Sequence, residues 1–386
     1  MSILGKRVSQ DVIAPSQVVD FVTELLMPVF HQKRCLSIGQ AVVGALHADR
    51  LSSAAVGRAL AREFNITAKS GIKQVDRLLG NENFDVDEVF KRSVPWLVAS
   101  REEIVVSLDW THYAATGHSR IALNLVTNHG RATPLVWKTV QSNDLKKKQN
   151  GHEDRLLRQL ASVLPPDVKV LVLADRGFAD VKLYEYLRED FGWDFVIRFR
   201  GKTNVEAADG QLRMANAWVP ARGQTLELPD ALVTGQRFRI NVVCVKQRAM
   251  KDAWCLATTL QGDKDRVVAL YGRRFTCEES FRDEKDRRFG MGFGETSVST
   301  TDRRDRFLVI IMLATILLTL LGSAGEQTGC DRLLKANTSK RRTHSLFRQG
   351  REYLADRAHR FADALRATFA DLLWAHPYEV ATYALI

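Results

Sequence analysis

The sequence lacks the features of a disulfide scaffold, a zinc protein, an exported protein or a repeat array. Five cysteines occur in 386 residues: Cys35, Cys244, Cys255, Cys277 and Cys330. No pair has the two-residue spacing of a zinc knuckle or a redox motif. They read as incidental buried thiols in a reducing compartment. The opening Met-Ser-Ile-Leu-Gly-Lys-Arg leads into no apolar signal core, so a cytoplasmic location is expected. From Val18 onward there is no internal repeat and no low-complexity tract. A long apolar run occurs at Phe307–Leu321, and it falls short of the roughly 20 residues that span a bilayer. Arg303, Arg304, Asp305 and Arg306 abut it, which favours a buried central helix over a membrane span. Acid is scarcer than base: 45 Asp and Glu stand against 56 Lys and Arg, a formal charge of +11. That imbalance points to a polyanionic partner, most simply nucleic acid.

What is present divides the chain into three parts. Residues 1–100 are mostly helical in pattern, with apolar positions at helical spacing through Val18–Phe30, Ile38–Leu46 and Ala54–Phe64. Lys33, Arg34, Arg50, Arg58, Arg62, Lys69, Lys73 and Arg77 interleave with them. This is the pattern of a small helical DNA-binding domain or of an ordinary solvated one, and no sharp helix-turn-helix signature decides between them. From residue 101 the pattern turns to short β-branched runs: Glu103–Asp109, Ser119–Asn128 and Ala132–Val140, the last two joined by an Asn-His-Gly turn. They fit an antiparallel meander. A helix over Glu153–Leu164 stops at Pro165-Pro166, and an apolar strand, Lys169–Ala174, runs into Asp175. A helix at Ala179–Arg188 and a strand at Trp193–Arg200 follow. Three antiparallel strands and then alternating helix and strand make an α/β layer with a mixed sheet, the order of an RNase H-like core. Residues 201–262 read as a β-rich insertion within a catalytic domain spanning 101–325. The remainder, 326–386, is helical in pattern with a net charge of +6 over 331–360, and is a candidate dimer contact.

The segment Tyr271–Lys285 carries the most chemistry. As one helix at about 100° per residue, it places Tyr271, Arg274, Glu278 and Lys285 on a stripe within roughly 60° of Tyr271. A solvated charged face is the ordinary meaning of such a stripe. Asp109 and Asp175, each read as ending a strand, change that. If their strands are neighbours, the two carboxylates lie side by side, and Glu278 adds a third. Hard divalent cations take oxygen ligands, and three carboxylates can hold two of them for phosphoryl transfer. Glu279 and Glu284 compete for the third position but are turned roughly 100° off the stripe, in opposite senses. The histidines near Asp109 (His112, His118, His129 and His152) lack ligand spacing, and imidazole is not what a hard cation prefers. The run Lys146–Gly151 reads as a solvated loop.

The spacing Tyr271-(two)-Arg274-(three)-Glu278-(six)-Lys285 resembles the signature of the YREK group of bacterial insertion-sequence transposases. Leu108-Asp109-Trp110-Thr111 is similar to that group's first catalytic block, and Leu173-Ala174-Asp175-Arg176-Gly177-Phe178 to its second. The β-rich stretch between the second Asp and the Glu is also a feature of the group. The resemblance implies an RNase H-like fold, a catalytic and metal-binding triad of Asp109, Asp175 and Glu278, and two Mg²⁺ or Mn²⁺ ions. It implies that Tyr271, Arg274 and Lys285 grip DNA phosphates, with Arg282 as a further contact. Trp254 is expected to stack on a base turned out of the duplex; the alternative is a hairpin or core tryptophan. The implied activity is cleavage and transfer of DNA strands at the element's ends, by a homodimer on double-stranded DNA. Two other readings share the triad: a nuclease that cuts without joining, and a host-adopted DNA-binding protein whose triad is inactive.

Overall fold

The computed structural model describes residues 12–146, 148–248, 250–288, 290–355 and 362–375. Five helices come first: α1 (Pro15–Leu26), α2 (Gln32–Leu46), α3 (Ser53–Glu63), α4 (Ala68–Gly80) and α5 (Val86–Val98). Their starts follow side-chain capping. Ser52, Thr67 and Asp85 each accept a hydrogen bond from a backbone N–H of the turn they open. Helices α3 and α4 are joined by a tight turn in which Asn65 has φ 52°. They cross where Gly57 meets Gly71, so closely that a Cβ on Gly71 would strike the carbonyl of Gly57. A side chain at either glycine would force the helices apart.

The strands form one ten-stranded sheet. They are β1 (Glu103–Tyr113), β2 (His118–Val126), β3 (Ala132–Gln141), β4 (Lys169–Ala174), β5 (Asp194–Phe199), β6 (Asn204–Glu206), β7 (Leu212–Met214), β8 (Thr225–Val233), β9 (Phe238–Val245) and β10 (Trp254–Thr258). The order across the sheet is β3-β2-β1-β4-β5-β10-β9-β8-β6-β7. The meander expected at β1–β3 is present, and β1, β4 and β5 are parallel. The strands of 201–262 extend this same sheet, because β10 pairs antiparallel with β5. The α/β class and mixed sheet expected for an RNase H-like core with helical flanks are what the chain forms.

Helix α6 (Gln149–Val163) connects β3 to β4, and α7 (Val181–Glu185) connects β4 to β5. Helices α8 (Lys264–Arg273), α9 (Thr276–Lys285), α10 (Thr301–Gln327), α11 (Leu346–Ala355) and α12 (Ala362–Trp374) follow the last strand. Alternation along the strands separates two apolar layers. Ile104, Val106 and Leu108 face the layer containing α10 and the N-terminal helices, whereas Val105, Leu171, Leu173 and Leu256 face Val267, Val268, Leu270 and Tyr271. Residues 307–321 of α10 are buried except Thr315, so the long apolar run is the core's central helix. Arg306 donates to the carbonyls of Leu79 and Phe84, Arg303 pairs with Asp76, and the buried Asp305 accepts from the Thr139 N–H. These bonds tie α10 to the first five helices and to β3.

Several boundaries differ from the sequence reading. β1 does not end at Asp109 but runs on to Tyr113, because Trp110–Tyr113 still pair residue for residue with β2. The Tyr271–Lys285 segment is two helices, not one. Gly272 is a poor helix former, and the Thr276 hydroxyl bonds back to the Arg273 carbonyl. The joint is closed by three-residue bonds, Arg274 N–H to Tyr271 and Cys277 N–H to Arg274. The helix expected over Ala179–Arg188 shortens to α7 and a wider turn at Tyr186–Asp190. Gln149, Asn150 and Gly151, read as loop, form the first turn of α6; Lys147 lies outside the described residues. In the tail, 335–345 is not helical, and 356–361 and 376–386 lie outside the described residues.

Candidate active site

The parallel register of β1 and β4 builds the site. Glu103 pairs with Lys169 and Leu108 with Ala174, so the next step along both strands sets Asp109 beside Asp175. Asp109 shares its face of β1 with Ser107, Thr111 and Tyr113, by the two-residue period. Helix α9 runs along that face. Arg274, at the joint before it, donates from Nη1 to Asp109 Oδ2 at 3.1 Å and from Nη2 to Glu278 Oε1 at 2.6 Å. Cys277 Sγ donates to the same Asp109 oxygen at 3.3 Å, and the Trp110 N–H donates to Oδ1 at 2.8 Å. Two residues along, Thr111 Oγ1 lies 2.7 Å from Lys285 Nζ. At the far end, Glu284 accepts from the Tyr113 hydroxyl at 2.6 Å and from Arg120 Nη1 at 2.8 Å.

The electrostatics follow from this crowding. Burial pushes the Asp109 carboxyl above its usual range. Asp175 and Glu278 push the same way, while Arg274 and Cys277 pull it down. The Lys285 ammonium is lowered, chiefly by burial, with Glu284 opposing. Asp175 accepts from the Gly177 N–H at 2.7 Å, so it caps a short turn as well as standing beside Asp109.

The aromatic residues form a second cluster beside the carboxylates. Tyr271 is 1% exposed and meets Trp254 edge to face, with centroids 4.8 Å apart. Phe275 stacks on Trp254 at 6.0 Å, and the Arg274 guanidinium lies 4.7 Å from the Phe275 ring centroid. Tyr271 is therefore an internal residue, whereas Glu278 is half exposed. Arg282 points outward and pairs with Glu279 at 2.6 Å; Arg131 also approaches Glu279, at 3.8 Å. Of the three glutamates weighed from the sequence, Glu278 is the one joined to Asp109. An open cleft of about 590 Å³ is lined by Asp109, Thr111, Glu278, Arg282, Lys285 and Arg287. Neither Trp254 nor Asp175 lines it.

Among the described residues, no three His, Cys, Asp or Glu side chains converge closely enough to hold a metal ion as placed. The donor chemistry nonetheless suits a hard divalent cation. The groups are carboxylate oxygens, and the mutual repulsion of three of them calls for positive charge. As placed, Arg274 supplies that charge to two of them.

Residues 101–317, more than half of the chain, match the family described as the transposase DDE domain. The chain belongs to this transposase family. No curated protein matches the chain. The match covers β1 through α9 and the first part of α10, and so the strands and helix of the transposase that carry Asp109, Asp175 and Glu278.

Three features of this transposase were not legible in its sequence. Cys277 bonds directly to Asp109; its place next to Glu278 was the available signal, but its spacing from the other cysteines said nothing. Trp110 Nε1 donates to the buried Glu153 on α6 at 2.9 Å, a long-range contact with no local signature. His112 and His118 bond to Ser119 and Arg304, away from the carboxylates.

Proposed function

We propose that this transposase is a YREK-type insertion-sequence enzyme that binds the ends of its element and cuts and rejoins DNA strands with Asp109, Asp175 and Glu278. The observation that carries the proposal is the parallel β1–β4 register, which sets Asp109 beside Asp175 while Arg274 joins Glu278 to Asp109. Asp109, Asp175 and Glu278 are the groups that would hold Mg²⁺ or Mn²⁺. A pair of such ions would supply the positive charge that activates an attacking oxygen and stabilises a leaving one. The chain's own groups bind and orient the strand. Lys285 and Arg282 present cations to the cleft, and Arg274, whose planar fork suits a phosphate, is bonded to two of its lining carboxylates, Asp109 and Glu278. Trp254 and Phe275 offer flat faces for an unstacked base.

The N-terminal helices are assigned to duplex DNA. Lys33, Arg34, Lys73 and Arg77 line a groove between α2 and α4, with Ser37, Ser70 and Gln74 between them. None of the four cations forms an ion pair among the described residues. The nearby Asp76 is taken by Arg303. We assign the enzyme to the cytoplasm and its working form to a homodimer, because joining two ends needs two active sites.

The test is a strand-transfer assay on a pre-cut terminal repeat. Joined product is expected with Mg²⁺ or Mn²⁺. Cleavage without joining would reduce the reading to a nuclease. Asp109→Ala should abolish both steps while sparing end binding, and a mutant that still cuts at the wild-type rate would refute the assignment.

A further inference from the structure

Arg274 occupies the charge position that the carboxylates would offer a metal. It is 5% exposed, it bridges Asp109 and Glu278, and the aromatic rings of Tyr271 and Phe275 flank it. Asp109 has little room for more donors. An ionised carboxylate offers about four acceptor sites, and Arg274, Cys277 and the Trp110 N–H already use Asp109. A divalent ion approaching Oδ2 would meet a guanidinium on the same oxygen, with like charges at contact distance.

We propose that Arg274 is the resident cation of the DNA-free site: it holds Asp109 and Glu278 together until a DNA phosphate draws it off, and its departure opens both carboxylates to a divalent ion. This rests on the triad assigned above. Arg274 is suited to the exchange because a phosphate offers its fork the same bidentate geometry that the two carboxylates share. It is bonded to Asp109 and Glu278, both of which line the cleft through which a strand would pass. The DNA-free enzyme then binds metal weakly, which limits idle hydrolysis. By reciprocity, metal strengthens DNA binding as much as DNA strengthens metal binding.

The test uses full-length protein and Mn²⁺, with bound ion read by electron paramagnetic resonance. Without DNA, Arg274→Gln is expected to bind Mn²⁺ at least about tenfold more tightly than wild type. Arg274→Lys, a single charge unable to span both carboxylates, should fall between them. Adding a short duplex, with its own Mn²⁺ binding subtracted, should tighten wild type by a similar factor and Arg274→Gln hardly at all. Equal or weaker Mn²⁺ binding by both variants without DNA would overturn the coupling. If Asp109→Asn still abolished binding in that case, the triad would stand. Absence of site-bound Mn²⁺ in every protein, with or without duplex, would remove the triad and the coupling together. Melting curves identify any variant that fails to fold, and Arg274→Lys then decides the outcome.

Discussion

Replacing Glu284 by Leu should be among the most destabilising single changes in the catalytic core, although Glu284 is not one of the proposed catalytic acids. Its two oxygens are bonded to the Tyr113 hydroxyl and to Arg120. Arg120 is 1% exposed, with its guanidinium near the rings of Tyr113 and Phe281, at 5.8 and 5.0 Å from their centroids. A second guanidinium, Arg304, sits 4.0 Å from the Tyr113 ring centroid. Without Glu284, two buried cations face each other with no carboxylate on α9 to balance them. Breaking a buried ion pair in this way costs about 3–5 kcal/mol. An unsatisfied Tyr113 hydroxyl accounts for about 1–3 kcal/mol of the same disturbance and is not additive to it. Removing both partners is different. Arg120→Met with Glu284→Leu leaves no uncompensated charge from the pair, and such replacements are often neutral or stabilising. The double variant should therefore recover most of the loss. Urea unfolding of wild type, both single variants and the double variant measures the cycle. A Glu284→Leu cost below about 1 kcal/mol, or a double variant no better than the worse single, would refute the reasoning. The consequence for function is positional. Glu284 anchors α9 one residue before Lys285, so its loss should also loosen the Thr111–Lys285 contact.

Two other outcomes follow from the structure. Lys73→Glu with Arg77→Glu should weaken duplex binding and reduce the slope of log affinity against log salt by about 1.8, for two phosphate contacts at about 0.9 each; fluorescence anisotropy across a salt series reads this, and an unchanged slope would move the DNA surface elsewhere. His129 is held neutral down to about 3, first by burial and then by Arg342 and Arg131. In the unfolded chain it protonates near the ordinary value of about 6.5. The unfolded state therefore binds the extra proton first, and stability is lost as pH falls from about 6.5 toward 3. Melting of wild type should drop between pH 7 and pH 4.5 by more than that of a folded His129→Phe variant, by roughly 2–3 kcal/mol; parallel curves would show that His129 does not govern the acid side.

Much of the architecture is written locally. The apolar run at Phe307–Leu321, bordered by charge, lies in the core as α10; this 27-residue helix is long and apolar enough to span a bilayer, and its burial against the rest of the fold is what makes it a core helix. The β-branched segments at β1–β3 pair as their alternation predicts. The break at Gly272–Thr276 is invisible to periodicity because the apolar and charged positions continue at helical spacing across it. Only the backbone shows the two three-residue bonds that close the joint. The end of β1 is hidden from the local sequence for a related reason. Asp109 is polar and looks like a terminus, but cross-strand pairing with β2 carries the strand past it.

By itself the sequence determined the identities and spacing of Tyr271, Arg274, Glu278 and Lys285, the two Asp blocks and the excess of basic charge, because these are properties of neighbouring residues and of composition. Only the tertiary structure decided how they meet. Asp109 and Asp175 lie side by side because β1 and β4 pair in parallel with a shared offset, a relation between segments sixty-six residues apart. Arg274 spans two carboxylates because the chain kinks beside it, and Tyr271 is enclosed because Trp254 arrives from β10. Glu284, on α9, is held away from the triad by a buried arginine on β2. Such facts depend on register and packing between distant segments, to which no local periodicity is sensitive.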